Sequence, residues 1–303
     1  MEYALLLFTI LCAALRSIFT KLSTSEKALY AKAKINVVIF SIGFLTVLLL
    51  GILSIETIFQ VPWFLAVIYA LCMVMAQVFM MLAFELGPVS ISSLIYYCAF
   101  IVPTVFGSIY YREKISFLHI IGLLLIISSF VLSLKLEDKK GGWRWFIASV
   151  LSCVFSGIIG CCQKILVLEH PNIKIDNFMQ ISFFFMVVFG LLIVLFTYLF
   201  EKKKFAITNN NAVSSVDAKT KWKNVICIVL IGAILGLTNK INVFLAGALP
   251  SIVAFPAING GGILATSILS IIIFKEKTNV RQKFALLAGL MGVLAVAFGN
   301  LLI

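Results

Sequence analysis

Residues 178–199 read FMQISFFFMVVFGLLIVLFTYL, a run without one charged side chain. A helix gains 1.5 Å per residue, so this run is long enough to cross a hydrocarbon core of about 30 Å. The same pattern recurs outward in both directions. Ten apolar runs occupy 3–20, 35–53, 62–84, 88–110, 117–134, 146–168, 178–199, 225–248, 251–273 and 284–302. Inside a bilayer each backbone N–H and C=O must be satisfied within the chain, which makes these runs helices. The expected fold is an all-α polytopic membrane protein with ten transmembrane helices. Hydrophobic residues make up 62% of the 303-residue chain and charged residues 12%. Soluble domains carry roughly 45–50% and about 25%, so no separate soluble domain is left over. Residues 1–20 read as the first span and not as a cleaved leader, because no basic segment precedes them and Arg16 interrupts them.

The net charge of +12 is unevenly placed. Loops after the first, third, fifth, seventh and ninth spans hold eighteen Lys and Arg residues, whereas the other loops hold three: Arg112, Lys114 and Lys174. The positive-inside rule makes the first set cytoplasmic and puts both termini outside, in a cell (plasma or inner) membrane. Basicity therefore encodes orientation, and no nucleic-acid partner is expected. Trp63, Trp143, Trp145 and Trp222 all fall at span starts, where amphipathic rings favour the headgroup level. All seven cysteines lie inside spans without metal-ligand spacing, as small packing residues do. No nucleotide-cradling or zinc-hydrolase motif occurs, so neither a cofactor nor a metal is expected.

A polar segment at 135–144 divides the chain into an N-terminal half, 1–138, and a C-terminal half, 139–303, with five spans each. Residues 201–223 read as a flexible cytoplasmic loop, and Ser23 to Lys34 as a short interfacial helix. Gly87-Pro88 opens the fourth span and Arg112-Glu113-Lys114 closes it. Leu249-Pro250 opens the ninth and Lys275-Glu276-Lys277 closes it. One constant offset aligns Glu113 with Glu276, Leu123 with Leu286 and His119 with Gln282. An odd number of spans per half inverts the second copy relative to the first, an architecture that places transporter sites near the midplane.

On these features the whole chain resembles the drug/metabolite transporter (DMT) superfamily, in particular its EamA-type members. The resemblance implies two inverted five-helix repeats and a small-molecule carrier working by alternating access. It names no substrate, because the superfamily carries amino acids, sugars, nucleotide derivatives, drugs and other metabolites. Small four-helix cation exporters of this superfamily depend on a carboxylate in the first helix. Here that helix carries Arg16, which weighs against a cationic substrate.

Ionisable side chains inside spans are costly and mark functional candidates. Lys240 lies nearest the centre of its span, and no acidic residue falls in the middle of any span to neutralise it. Arg16 and Lys164 sit nearer span ends, where long side chains snorkel. Asn239 and Asn242 flank Lys240, and Gln77 falls opposite Asn239 when Pro88 is matched to Pro250. These amides serve either a polar cavity or contacts between helices. Asn259 precedes Gly260-Gly261-Gly262, which cost about 1 kcal/mol each relative to alanine in a helix. Either close helix packing or backbone exposed to a water-filled vestibule offsets that cost. Tyr96 and Tyr97 hold the matching places in the first half, and Pro103 should kink the fourth span.

The expected function is secondary-active or facilitative transport of a small polar metabolite that is anionic, zwitterionic or neutral. Lys240, Asn239, Asn242, Asn259, Gln77, Tyr96, Tyr97 and Arg16 are the candidate substrate-binding residues, with the bilayer as the other partner. The rivals are a lipid-head-group-handling protein or membrane enzyme using the same basic pocket, and an inert scaffold. No His, Asp or Glu cluster is legible at membrane depth, so no enzyme is expected.

Overall fold

A computed structural model describes residues 1–23, 29–51, 59–133, 142–208, 218–274 and 280–299. Among these residues every regular element is helical: α1 (Glu2–Ser23), α2 (Leu29–Leu50), α3 (Trp63–Leu86), α4 (Val89–Tyr97), α5 (Ile101–Tyr110), α6 (Phe117–Ser133), α7 (Trp143–Glu169), α8 (Ile175–Thr208), α9 (Ala218–Ala248), α10 (Ser251–Phe274) and α11 (Val280–Phe298). Taking α4 and α5 as one span, nine described segments are long and apolar enough to cross a membrane; Phe117–Leu132 in α6 is shorter. Large apolar side chains such as Leu49, Phe64, Ile109 and Phe117 point outward, a surface suited to hydrocarbon and not to water.

Several boundaries differ from the hydropathy reading. Helix α2 begins at Leu29 and absorbs the second half of the expected interfacial helix, while residues 24–28 lie outside the described set. Within α2 Lys34 rests over the Tyr30 ring one turn earlier, 4.3 Å from its centroid. Helices α8 and α9 run into the expected 201–223 loop from both ends, and 209–217 lie outside the described residues. A proline has no N–H, so Pro103 cannot bond Ala99 C=O. The helix accordingly breaks a turn earlier than Pro103, in the 3₁₀ segment Cys98–Phe100 between α4 and α5. Gly157 of α7 lets the broken segment come close: a Cβ there would collide with Val102 and meet Ala99 O at 3.0 Å.

The chain forms two compact units, and each draws on both sequence halves. The first is Met1–Leu15, Met75–Ile175 and Ile241–Ile303. Its core joins Leu6 and Ile10 of α1, Phe100, Ile126 and Phe130, Leu245, Ile252 and Phe255, and Val296 of α11. Helices α6 and α11 meet backbone to backbone, because a Cβ on Gly122 would lie 2.8 Å from Gly292 O and one on Gly292 would lie 2.8 Å from Gly122 O. Ser129 donates to Ala285 C=O at 2.7 Å in the same interface.

The second unit is Arg16–Val74 and Asp176–Lys240. Gly236 of α9 abuts Gly43 of α2, with 2.7 Å from its Cβ position to Gly43 O. Phe40, Val47, Tyr69, Phe178, Phe183 and Met186 fill its interior.

Candidate functional site

Lys240 is the charged residue around which the second unit's polar groups gather. Its ammonium lies 2.5 Å from Asp176 Oδ1 and donates to Leu50 C=O at 3.3 Å, the last residue of α2. The two side chains retain 30% and 27% of their exposure, while Asp176 Oδ1, the oxygen that meets the ammonium, is shielded. Gln180, one turn after Asp176 on α8, donates from Nε2 to Gly51 C=O at 3.0 Å. Helix C-termini carry unsatisfied carbonyls and partial negative charge, and Lys240 and Gln180 serve those of α2. Gly51 makes the meeting possible: a Cβ there would lie 2.6 Å from Asp176 Cβ.

One sequence expectation is corrected here. Lys240 has an acidic partner, because α8 starts at Ile175 and takes Asp176 into the helix, three residues before the hydropathy boundary. Lys240 lies about five residues beyond the midpoint of the apolar stretch Trp222–Ala248 and Lys164 about eight beyond that of Trp143–Glu169, while Lys164 is the more buried amine at 3% exposure. The two neighbours Asn239 and Lys240 point differently. Asn239 is buried, accepts the Tyr69 hydroxyl at 2.7 Å and donates to Leu235 C=O at 2.8 Å. Tyr69 in turn packs edge to face on Phe178. Arg16 is half-buried on α1.

The first unit holds a second ion pair, which sequence reading missed as a unit. Arg112 adopts φ 52, the left-handed conformation that ends α5, and the Tyr111 and Glu113 amides both return to Gly107 C=O. That turn brings Glu113 to the start of α10, where its Oε2 accepts the Ser251 amide at 2.7 Å and its Oε1 the Ser251 hydroxyl at 3.3 Å. Lys164 of α7 closes the site, 2.6 Å from Glu113 Oε1 and donating to Leu249 C=O at 3.1 Å. Gly107 is needed beneath it, since a Cβ would collide with Ser251 and Glu113. Nearby, the Tyr111 hydroxyl donates to Glu169 at 2.9 Å. Burial, and then that carboxylate, push the Tyr111 phenol above its ordinary range. Short loops and helix ends thus meet in a lock whose partners lie far apart in sequence.

The other candidates of the first unit lie on α3, α4, α9 and α10. Asn259 is half-buried and donates to Phe255 C=O at 2.9 Å. Gly260, Gly261 and Gly262 are buried, their Cα faces turned to Ile126, Ile10 and Ala13. Tyr96 and Tyr97 pack edge to face with centroids 5.5 Å apart. Asn242 is half-buried with its Oδ1 shielded and without a hydrogen bond, and Gln77 is half-buried on α3. The signal for Asp176 was available in the sequence as a carboxylate beside a span start. The signal for Glu113 was the turn itself, which hydropathy does not weigh.

No protein-family model and no curated protein matches the chain. A protein of known crystal structure is similar to it over 98% of this chain and 97% of its own, with a TM-score of 0.69 at 14% identity. That likeness is one of fold.

Proposed function

We propose that the chain is an EamA-type carrier of the drug/metabolite transporter superfamily, with ten spans in two inverted five-helix repeats, 1–138 and 139–303. It moves a small polar metabolite, anionic, zwitterionic or neutral, across a cell membrane by alternating access. Both termini face outward, following the eighteen-to-three distribution of basic loop residues.

The observation that carries this reading is the part-exposed Lys240–Asp176 pair inside two apolar stretches, Ile175–Leu199 and Trp222–Ala248, whose one other charged residue is Lys223 at a stretch end. Charges at membrane depth are expensive and are retained where they meet water, one another or a solute. Lys240 can release Asp176 and Leu50 to receive a substrate carboxylate or phosphate, because its side chain is not sealed by packing. The deeply buried Lys164 lacks that freedom, and its role is structural.

Uptake of labelled amino acids, organic acids, sugar phosphates and nucleotide sugars into proteoliposomes tests the proposal. At least one class is expected to enter faster than into protein-free vesicles, and Lys240→Met should weaken its apparent affinity or rate. Uptake of no class, or transport by folded Lys240→Met indistinguishable from the unaltered protein, overturns the reading.

A further inference from the structure

We infer that the Asp176–Lys240 site is a monovalent-cation site in which the Lys240 ammonium acts as a tethered occupant, and that a free alkali cation of the sodium class takes its place when substrate draws the ammonium away. This rests on the carrier reading of Lys240. The groups that hold the ammonium are oxygen acceptors, the Asp176 carboxylate and Leu50 C=O, and the carbonyl of the next residue, Gly51, holds Gln180. Gln180 supplies an independent pointer. It is 2% exposed and its Nε2 is used on Gly51, yet its Oε1 is shielded and has no hydrogen-bond partner. A cation at the end of α2 would give that oxygen a partner.

The chemistry fixes the class of ligand. Oxygen donors without thiolate or imidazole suit a hard cation, and carbonyls at helix C-terminal ends serve this purpose in transporters. One carboxylate balances one positive charge, so a monovalent ion replaces the ammonium without changing the net charge of the site. The Glu113–Lys164 pair shows the contrast: there the carboxylate also faces the N–H and O–H donors of Ser251, which oppose a free cation. Coupling follows from charge. An anionic substrate on Lys240 leaves Asp176 uncompensated, and a cation on Asp176 frees Lys240 for substrate, so each ligand raises the affinity of the other.

The test measures melting of purified full-length protein in sodium chloride against choline chloride at equal ionic strength. Lys240→Met removes the internal competitor. It should melt higher in sodium than in choline, with a half-maximal shift at about tenfold lower sodium than in the unaltered protein. Adding Asp176→Asn or Gln180→Leu to Lys240→Met should abolish or weaken that response. Lys240→Gln repeats the test with a shorter neutral side chain should the first variant not fold. Equal melting of these variants in both salts, or a sodium response that survives Asp176→Asn, overturns the inference. Failure of the sodium response with substrate uptake intact removes the cation site alone. An intact sodium response without uptake removes the carrier reading instead.

Discussion

Glu113 takes part in two different contacts, a helix-start cap on Ser251 and an ion pair with Lys164. Removing each partner should therefore cost unequal amounts. Glu113→Ala strips both contacts and leaves a 3%-exposed ammonium with only the Leu249 carbonyl, a loss of about 3–5 kcal/mol by the measure of broken buried pairs. Lys164→Met leaves the carboxylate with its two Ser251 bonds and should cost less. The double variant should melt above Glu113→Ala alone, because no unpaired charge remains; a double variant that melts lower would show the pair to be incidental. At this scale the sequence was read unevenly. Lys240, Lys164 and Asn239 stood out because polar atoms are rare in such runs. Of their partners, Glu113 was visible only as part of a turn, while Asp176, just outside an apolar run, and Tyr69, one more membrane aromatic, carried no mark of their own. Which polar atom meets which is decided by helix rotation, and hydropathy does not encode it.

Helices were legible wherever lipid demands apolar residues, but their ends were not. Hydropathy locates where hydrocarbon stops, whereas backbone hydrogen bonding continues into water, so α2, α8 and α9 outrun their apolar cores. The interface between α6 and α11 was invisible for a related reason: glycine scores as neither strongly apolar nor polar. Yet Gly122 and Gly292 allow the two backbones to touch, and Gly122→Leu must force them apart. The expected cost is about 1–3 kcal/mol, the range for overpacking, read as a lower melting temperature in detergent. Gly142→Ala is the control, since nothing lies within 4 Å of the added methyl. Equal melting of the two variants would remove the weight placed on this contact.

For the molecule as a whole, the polar segment at 135–144 suggested a division into halves, while packing groups the helices into units that draw on both. The reason lies in side-chain size: close faces form where small residues coincide, Gly236 on Gly43 and Gly122 on Gly292, irrespective of which half supplied them. Orientation belongs to this scale too. In intact cells a cysteine introduced at Asn210 into a cysteine-free background should resist an impermeant thiol reagent, whereas one placed beside Met1 should react. The reverse pattern would reverse the assignment.

The apolar stretch Trp143–Glu169 has 27 residues, about 40 Å of helix. A hydrocarbon core is about 30 Å thick, so in a bilayer this helix must tilt or carry its ends into the headgroup region. Acyl-chain length thereby acts on it directly: a thicker membrane matches the helix more closely and lessens its tilt, whereas a thinner one increases the mismatch at a cost that grows with each ångström.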